Sequence, residues 1–436
     1  MPRDEDPETD AAGVHSGDAA GSAGHTSALA PEQHGASRAD YAAAFRTRGM
    51  VWPVLASLLA RLPIAMGSIS LLFYVQRTTG TFSDAGFVSG AALFGLAVGS
   101  VSQGKLIDRF GPTRSLGTIL LVFLPIAASV FIAIEAHAPL PVLIVAAFAF
   151  GLTQPAISPA SRGLWGRMLP AGSVREAAYT YEAISLETFF ILGPALAGLL
   201  ATSAVPAAGL VVTVSLFFVG TTLFIAAPVV RRWRPSRQVE SGSGKATQLI
   251  RRPGVQTMIL LVFGFGIVIG FGEVAIPAAA IEAGYPALGG VLLGVWSITS
   301  VIFGIFYAAH PWPRALHLRG PVLLGAFAIL VGVMGLTHGL LWLTVALLVS
   351  GLMITPQATL HSLLVDRVAP DRYSAEAFGW VTTAVTVGIG IGQASSGQLV
   401  ETLGYESALL VAAVPGVLVA ALGWLRRGTL LRSAVD

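Results

Sequence analysis

Four ionisable side chains interrupt otherwise apolar stretches of this 436-residue chain: Arg61, Glu182, Glu187 and Glu273. A charge inside a membrane costs on the order of 3 kcal/mol unless it meets a partner or water, so each is a candidate for binding or proton transfer. Arginine keeps its proton and must be balanced by a carboxylate, an anion or water. A carboxylate can gain or lose one. Arg61 and Glu187 are expected to pair, with substrate or a proton competing for the pair; the rival reading is an ion pair that only fixes helix register. The rise per helical residue puts Arg61 about 17 Å into its segment and Glu187 about 15 Å into its own. Glu182 sits about a turn and a half lower, and Glu273 lies in the outer third of another segment. Gln154, Ser158, Thr355, Gln357 and His361 add hydrogen-bonding groups, each either an interhelical bond or a ligand contact.

The elements that must hold these residues follow from composition. The chain is 54% hydrophobic and 11% charged, with a mean hydropathy of +0.75. A soluble domain carries about 25% charged residues, so a soluble enzyme, a coiled coil and a disordered protein are excluded. There is no cysteine, hence no disulfide framework and no thiolate metal site. The eight histidines have no metal-ligand spacing, and neither a metal nor a cofactor is expected. The net charge is only +3, and the scattered basic residues do not form a nucleic-acid face. Residues 1–45 carry no apolar run and no signal-peptide pattern, and are expected to be a disordered tail.

Apolar runs long enough to cross a bilayer fall near 50–74, 82–103, 115–135, 140–165, 177–200, 207–230, 254–280, 287–309, 320–337, 340–365, 374–397 and 407–425. That predicts an all-α integral membrane protein with twelve spans. Basic residues mark the cytosolic loops. Lys105, Arg109 and Arg114, then Arg167 and Arg175, fall in alternate loops, as do Arg314 and Arg319, and Arg367 and Arg372. The outer loops hold Arg77 alone. Both termini are therefore expected in the cytosol. A basic linker at 231–253, with Lys245, divides a bundle at 46–230 from one at 254–425, followed by a tail at 426–436.

The two halves match at an offset of 200 residues. The pairs include Gly151/Gly351, Leu164/Leu364, Arg167/Arg367, Pro170/Pro370, Glu176/Glu376 and Gly104/Gly304. Because each half has an even number of spans, the repeat is parallel, a known transporter architecture. At the same offset Leu261, Thr382, Val387 and Phe73 stand in for Arg61, Glu182, Glu187 and Glu273. The buried charges are therefore not part of the shared scaffold.

Between the second and third spans runs Gly104-Lys-Leu-Ile-Asp108-Arg109-Phe-Gly111-Pro-Thr-Arg114. It resembles the signature loop of the major facilitator superfamily, G-x-x-x-D-R-x-G-x-x-R, and the 6+6 repeat extends that resemblance over all twelve spans. In that family the loop latches the two halves on the cytoplasmic side while the cavity is open outward. The resemblance implies that Gly104, Asp108, Arg109, Gly111 and Arg114 form the latch, with Glu176 as partner and Asp366, Arg367 and Glu376 as second-half counterparts. The second-half loop keeps Gly304 and Arg314 but has Ala308 and Ala309 in place of the acid and base. Leu192-Gly193-Pro194-Ala-Leu-Ala-Gly198 resembles in part the fifth-span segment of the family's antiporters. It lacks that segment's paired glycines, so a kink at Gly193 and Pro194 for packing is the alternative.

Leu59-Ala-Arg61-Leu-Pro63, Gly272-Glu273-Val-Ala-Ile-Pro277 and Glu376-Ala-Phe-Gly-Trp380 are further similar to a high-GC bacterial group of unassigned substrate. The pairs Gly86/Gly90, Gly95/Gly99, Gly266/Gly270 and Gly388/Gly392 read as close helix packing. Ser241-Gly-Ser-Gly-Lys245 lacks the Ser or Thr of a phosphate loop. The expected function is proton-coupled efflux of a small organic solute by a monomer in the bacterial plasma membrane. Proton-linked or facilitated uptake of a metabolite would look the same in sequence, and a transporter-like receptor that moves nothing is the third reading.

Overall fold

Lipid offers no partners to the backbone, so each apolar run must satisfy its own hydrogen bonds as a helix. The structure, a computed structural model, describes residues 38–170, 172–233, 249–309, 315–369 and 374–431. No strand occurs among them. The first half comprises α1 (Arg38–Arg46), α2 (Val51–Thr79), α3 (Phe82–Phe110), α4 (Pro112–Glu135), α5 (Leu140–Thr153), α6 (Ile157–Met168), α7 (Ser173–Ala201), α8 (Ala208–Ala226) and α9 (Pro228–Arg231). The second comprises α10 (Pro253–Glu282), α11 (Leu288–Ala309), α12 (Leu316–Met334), α13 (Leu340–Gly351), α14 (Ile354–Val368) and α15 (Ser374–Leu425).

Among the described residues nine helices are long and apolar enough to cross a membrane, against twelve expected spans. Two expected spans run together as α15, bent at Gly404, whose φ of 85° suits a residue without a side chain. In α7 and α11 the qualifying apolar stretch shortens to Leu192–Ala201 and Leu288–Ser300. The architecture is all-α and membrane-spanning.

One expected span in each half is broken. Pro155 has no N–H, and the chain leaves the helix at Gln154 to restart at Ile157. Gln103 of α3, buried, repairs the gap. Its Nε2 donates to the Leu152 carbonyl at 3.0 Å and the Gln154 carbonyl at 2.8 Å, and its Oε1 accepts from the Ala156 N–H at 2.8 Å. The second-half break, at Leu352 and Met353, is bridged by Ser300 of α11, whose Oγ accepts from the Thr355 N–H at 2.9 Å. Irregular backbone at membrane depth survives only where protein or a cavity satisfies it, and such breaks mark transport sites.

Glycines set the helix pairs. Gly266 and Gly270 of α10 lie against Gly388 and Gly392 of α15, close enough that a Cβ on Gly388 would be 3.1 Å from the Gly266 Cα. Between the halves, Gly90 meets Gly390, and Gly198 of α7 meets Gly290 of α11. At the same end the Glu401 carboxylate accepts from the Phe82 N–H at 3.1 Å, capping α3 from the opposite half, and Ser83 donates to Gln398 at 2.8 Å. At the end that carries the signature loop, Gly104 and Gly379 have open space beside them. The contacts described between the halves are thus zipped together at the end away from the signature loop.

That contact yields a prediction. Overpacking by a side chain costs about 1–3 kcal/mol, enough to force apart helices whose Cα atoms touch. Gly198→Leu should separate α7 from α11 at the zipped end. Spin labels on cysteines introduced at Ala204 and Ala287 should report a widening of several ångströms. An unchanged distance would show that the contact does not hold this end shut.

One sequence expectation needs correction. The tail expected to be disordered to residue 45 ends in the helix α1, which docks on α7: Ser173 donates to Asp40 at 2.9 Å and Phe45 lies edge-on to Tyr181 at 4.8 Å. Residues 1–37 lie outside the described residues. At the start of the C-terminal tail a 3-10 turn at Arg427–Leu430 buries Leu430 and pairs Thr429 with Thr257 at 2.9 Å.

Candidate functional site

Arg61 projects from α2 into the first half and is 1% exposed. The acid it meets is Glu182 of α7, 2% exposed, and the two form an ion pair. The pairing expected with Glu187 is therefore corrected to Glu182; the side chain of Glu187 lies outside the described residues. The reason is where α7 begins. Its first turn, Ser173–Glu176, is polar, so apolar content alone starts the span at residue 177. Counted from Ser173 and Val51, the rise per residue places Glu182 about 14 Å deep, Arg61 about 15 Å and Glu187 about 21 Å. Glu182 is level with the guanidinium.

Three residues that the sequence reading missed complete the cluster. Glu182 Oε1 also accepts from Ser161 Oγ at 2.7 Å and from Trp165 Nε1 at 2.9 Å, both on α6. Arg61 Nη1 donates to Ser185 Oγ at 2.6 Å, and Ser185 donates on to the Glu182 carbonyl at 2.9 Å. α6 is the short helix that restarts after Pro155, so the broken span aims Ser161 and Trp165 at the acid. Phe45 of α1 packs edge-on to Trp165, with centroids 6.2 Å apart, and covers the cluster from the signature-loop end. The helical spacing of Ser161 and Trp165 was readable, but nothing in the sequence tied them to an acid on another helix.

The second half presents no such ion pair among its described residues. His361 and Gln357, both on α14 and buried, face each other: Gln357 Nε2 donates to His361 Nε2 at 3.3 Å, and the His361 ring lies edge-on to Phe265 at 5.5 Å. Glu273 of α10 accepts from Gln393 Nε2 of α15 at 2.8 Å. Gln393 is also the residue whose backbone carbonyl abuts Gly86 of the first half, so this acid sits directly behind the zipped end. Buried oxygens of Gln154, Ser158, Gln357 and Gln393 have no hydrogen-bond partner among the described residues. Unmet polar atoms at such depth are where a polar ligand gains most.

Of the expected latch residues, the structure describes Gly104, Arg109, Gly111, Arg114 and Arg367. Gly111 has φ +83° and turns the chain from α3 into α4, while Arg109 lies exposed over the Phe110 ring at 5.1 Å and Arg114 is exposed. The side chains of Asp108, Glu176, Asp366 and Glu376 lie outside the described residues, as do Arg314, Arg372 and Lys245 entirely. Arg367 stays within its own half, donating to the Leu430 carbonyl at 3.0 Å. Gly193 and Pro194 lie within α7, where Gly193 lets Ala65 of α2 approach; a Cβ there would be 2.7 Å from the Ala65 side chain.

The family model of the Major Facilitator Superfamily matches residues 47–310. No curated protein matches the chain in sequence. Among solved structures the fold is similar to the nucleoside transporter NupG, with TM-score 0.63, 14% identity, and 87% of this chain against 99% of that one. It is likewise similar to the xylose transporter XylE from E. coli in an inward open conformation, with TM-score 0.62, 15% identity, and 86% against 96%. A bacterial homolog of the human lysosomal transporter Spinster, inward-facing and occupied, gives TM-score 0.64, 13% identity, and 89% against 98%.

Proposed function

The chain belongs to the major facilitator superfamily, and on that premise we propose that it exports a small polar organic solute by proton-coupled alternating access. Family and fold place it with transporters and not with enzymes. The single observation that carries the substrate site is the buried Arg61–Glu182 pair, held by Ser161, Trp165 and Ser185 beside a broken helix. A solute group that replaces one partner of such a pair gains a charge-assisted bond. Its polar atoms then meet the unpartnered oxygens of Gln154, Ser158 and Gln357. The polar solutes named for the similar structures, a nucleoside and xylose, support this size and chemistry.

Basic loops in the cytosol of a bacterial cell would make the signature-loop end the inner one, and the open space at Gly104 and Gly379 supports an inward-facing reading. The other conformation opens where Gly198 meets Gly290 and closes where Gly104 has open space, with Asp108, Arg109 and Arg114 latching the inner end. Glu273 carries the proton. It is bonded to a neutral amide, so its charge can change without breaking an ion pair.

Purified protein in proteoliposomes should show solute counterflow, and solute movement should respond to an imposed pH step. Binding without counterflow would reduce the chain to a receptor. Counterflow without response to pH would leave facilitated transport.

A further inference from the structure

Away from the central site, a pocket of about 570 Å³ opens at the signature-loop end of the first half. Three segments far apart in sequence build it: the turn between α1 and α2 (Arg48, Gly49), the end of α6, and α9 with the residues after it. Its floor is apolar, from Leu164, Met168, Pro228 and Val229. Its rim holds Arg48, Arg167, Arg232 and Trp233, and none of the described residues that line it is acidic. The Trp233 indole lies against α6 because Gly163 has no side chain; a Cβ there would be 2.6 Å from the ring. The Arg167 guanidinium lies over the other part of this arrangement, 4.7 Å from the Trp233 ring centroid. The indole Nε1–H is buried and has no acceptor among the described residues.

Positive charge, a donor without an acceptor among the described residues and an apolar floor at the edge of the spans describe a group that is anionic at one end and greasy at the other. Tryptophan and arginine at a membrane boundary sit at headgroup level, and basic pockets there hold lipid phosphates. We propose that this pocket binds the phosphate of an anionic phospholipid. The phosphate lies between Arg48 and Arg232 and accepts from Trp233 Nε1, while the glycerol and acyl chains lie over Met168 and Val229. A lipid so bound ties the turn after α1 to α6, and with it the Phe45 cover over Trp165. The site does not touch Arg61 or Glu182 and stands apart from the transport reading.

Dioctanoyl phosphatidylglycerol titrated into the full-length protein in neutral detergent should raise the unfolding midpoint. Dioctanoyl phosphatidylcholine and inorganic phosphate should not. Near a charged surface each arginine contributes about a fivefold factor, so Arg48→Gln with Arg232→Gln should weaken the phosphatidylglycerol effect about 25-fold. Trp233→Phe keeps the ring and its stack but removes the N–H, and should weaken it about tenfold, the size of one charge-assisted bond. Equal stabilisation by the two lipids, or an unchanged titration in the arginine variant, would overturn the proposal. Equal stabilisation by inorganic phosphate would also overturn it, assigning the pocket to a free anion.

Discussion

Arg61→Leu is expected to destabilise the folded protein by about 3–5 kcal/mol, because it leaves Glu182 buried without its cation. Glu182→Leu should cost more still. The stranded carboxylic acid in the first variant can take a proton from solvent, whereas the stranded guanidinium in the second cannot release one. Its remaining partner is then the neutral Ser185 hydroxyl. The double variant Arg61→Leu with Glu182→Leu should recover much of the loss, since a buried pair and an apolar replacement of similar volume differ little. Ser185→Ala serves as the scale, at about 2 kcal/mol for one bond to a charged group. Thermal unfolding of the four variants in one detergent gives the ordering. Transport separates the two readings of the pair. If it only fixes helix register, the refolded double variant transports; if it receives the solute, the double variant is stable and inactive. Equal losses in both single variants would show that the guanidinium finds another anion.

The parts of this arrangement that were legible in the sequence are those that depend on rarity. Arg61, Glu182 and Glu273 stand out because a charge in an apolar run is conspicuous wherever its partner lies. Which acid meets Arg61 was not legible, because that depends on where α7 starts. The polar turn Ser173–Glu176 forms helix without looking like membrane span, and a few residues of error shift depth by more than a turn. α1 was hidden for a related reason. Its residues around Tyr41 and Phe45 are too polar to signal a helix alone, and its stability comes from Phe45 against Trp165 and Tyr181. The GxxxG pairs were legible because a glycine every fourth residue has one physical use in an apolar helix, and each pair found a partner helix. The Gln103 bridge was not, since Pro155 announces a break but not which side chain will bond the freed groups.

Glu273 leads to the remaining large effect. It lies on α10 behind the zipped end, bonded to Gln393, whose backbone packs on Gly86 across the interface between the halves. When Glu273 holds a proton, it can also donate to the unpartnered Gln393 oxygen, so its charge state resets the bond to the segment of α15 that closes this end. A change of charge at Glu273 is thereby felt at the contact that must open and close in the proposed cycle. For one proton per solute, a pH step of about one unit supports about a tenfold solute ratio, worth about 1.4 kcal/mol. Glu273→Gln cannot carry a proton, yet it preserves size and the ability to bond Gln393. It is expected to abolish this ratio in proteoliposomes, so that solute equalises across the membrane whatever the pH step. Counterflow should continue, because exchange of solute for solute needs no net proton movement. Gln393→Leu removes only the amide, and should loosen coupling without abolishing counterflow. A Glu273→Gln protein that still holds a tenfold ratio would place the coupling proton elsewhere, with Glu182, the acid already held by Arg61, as the group to test next.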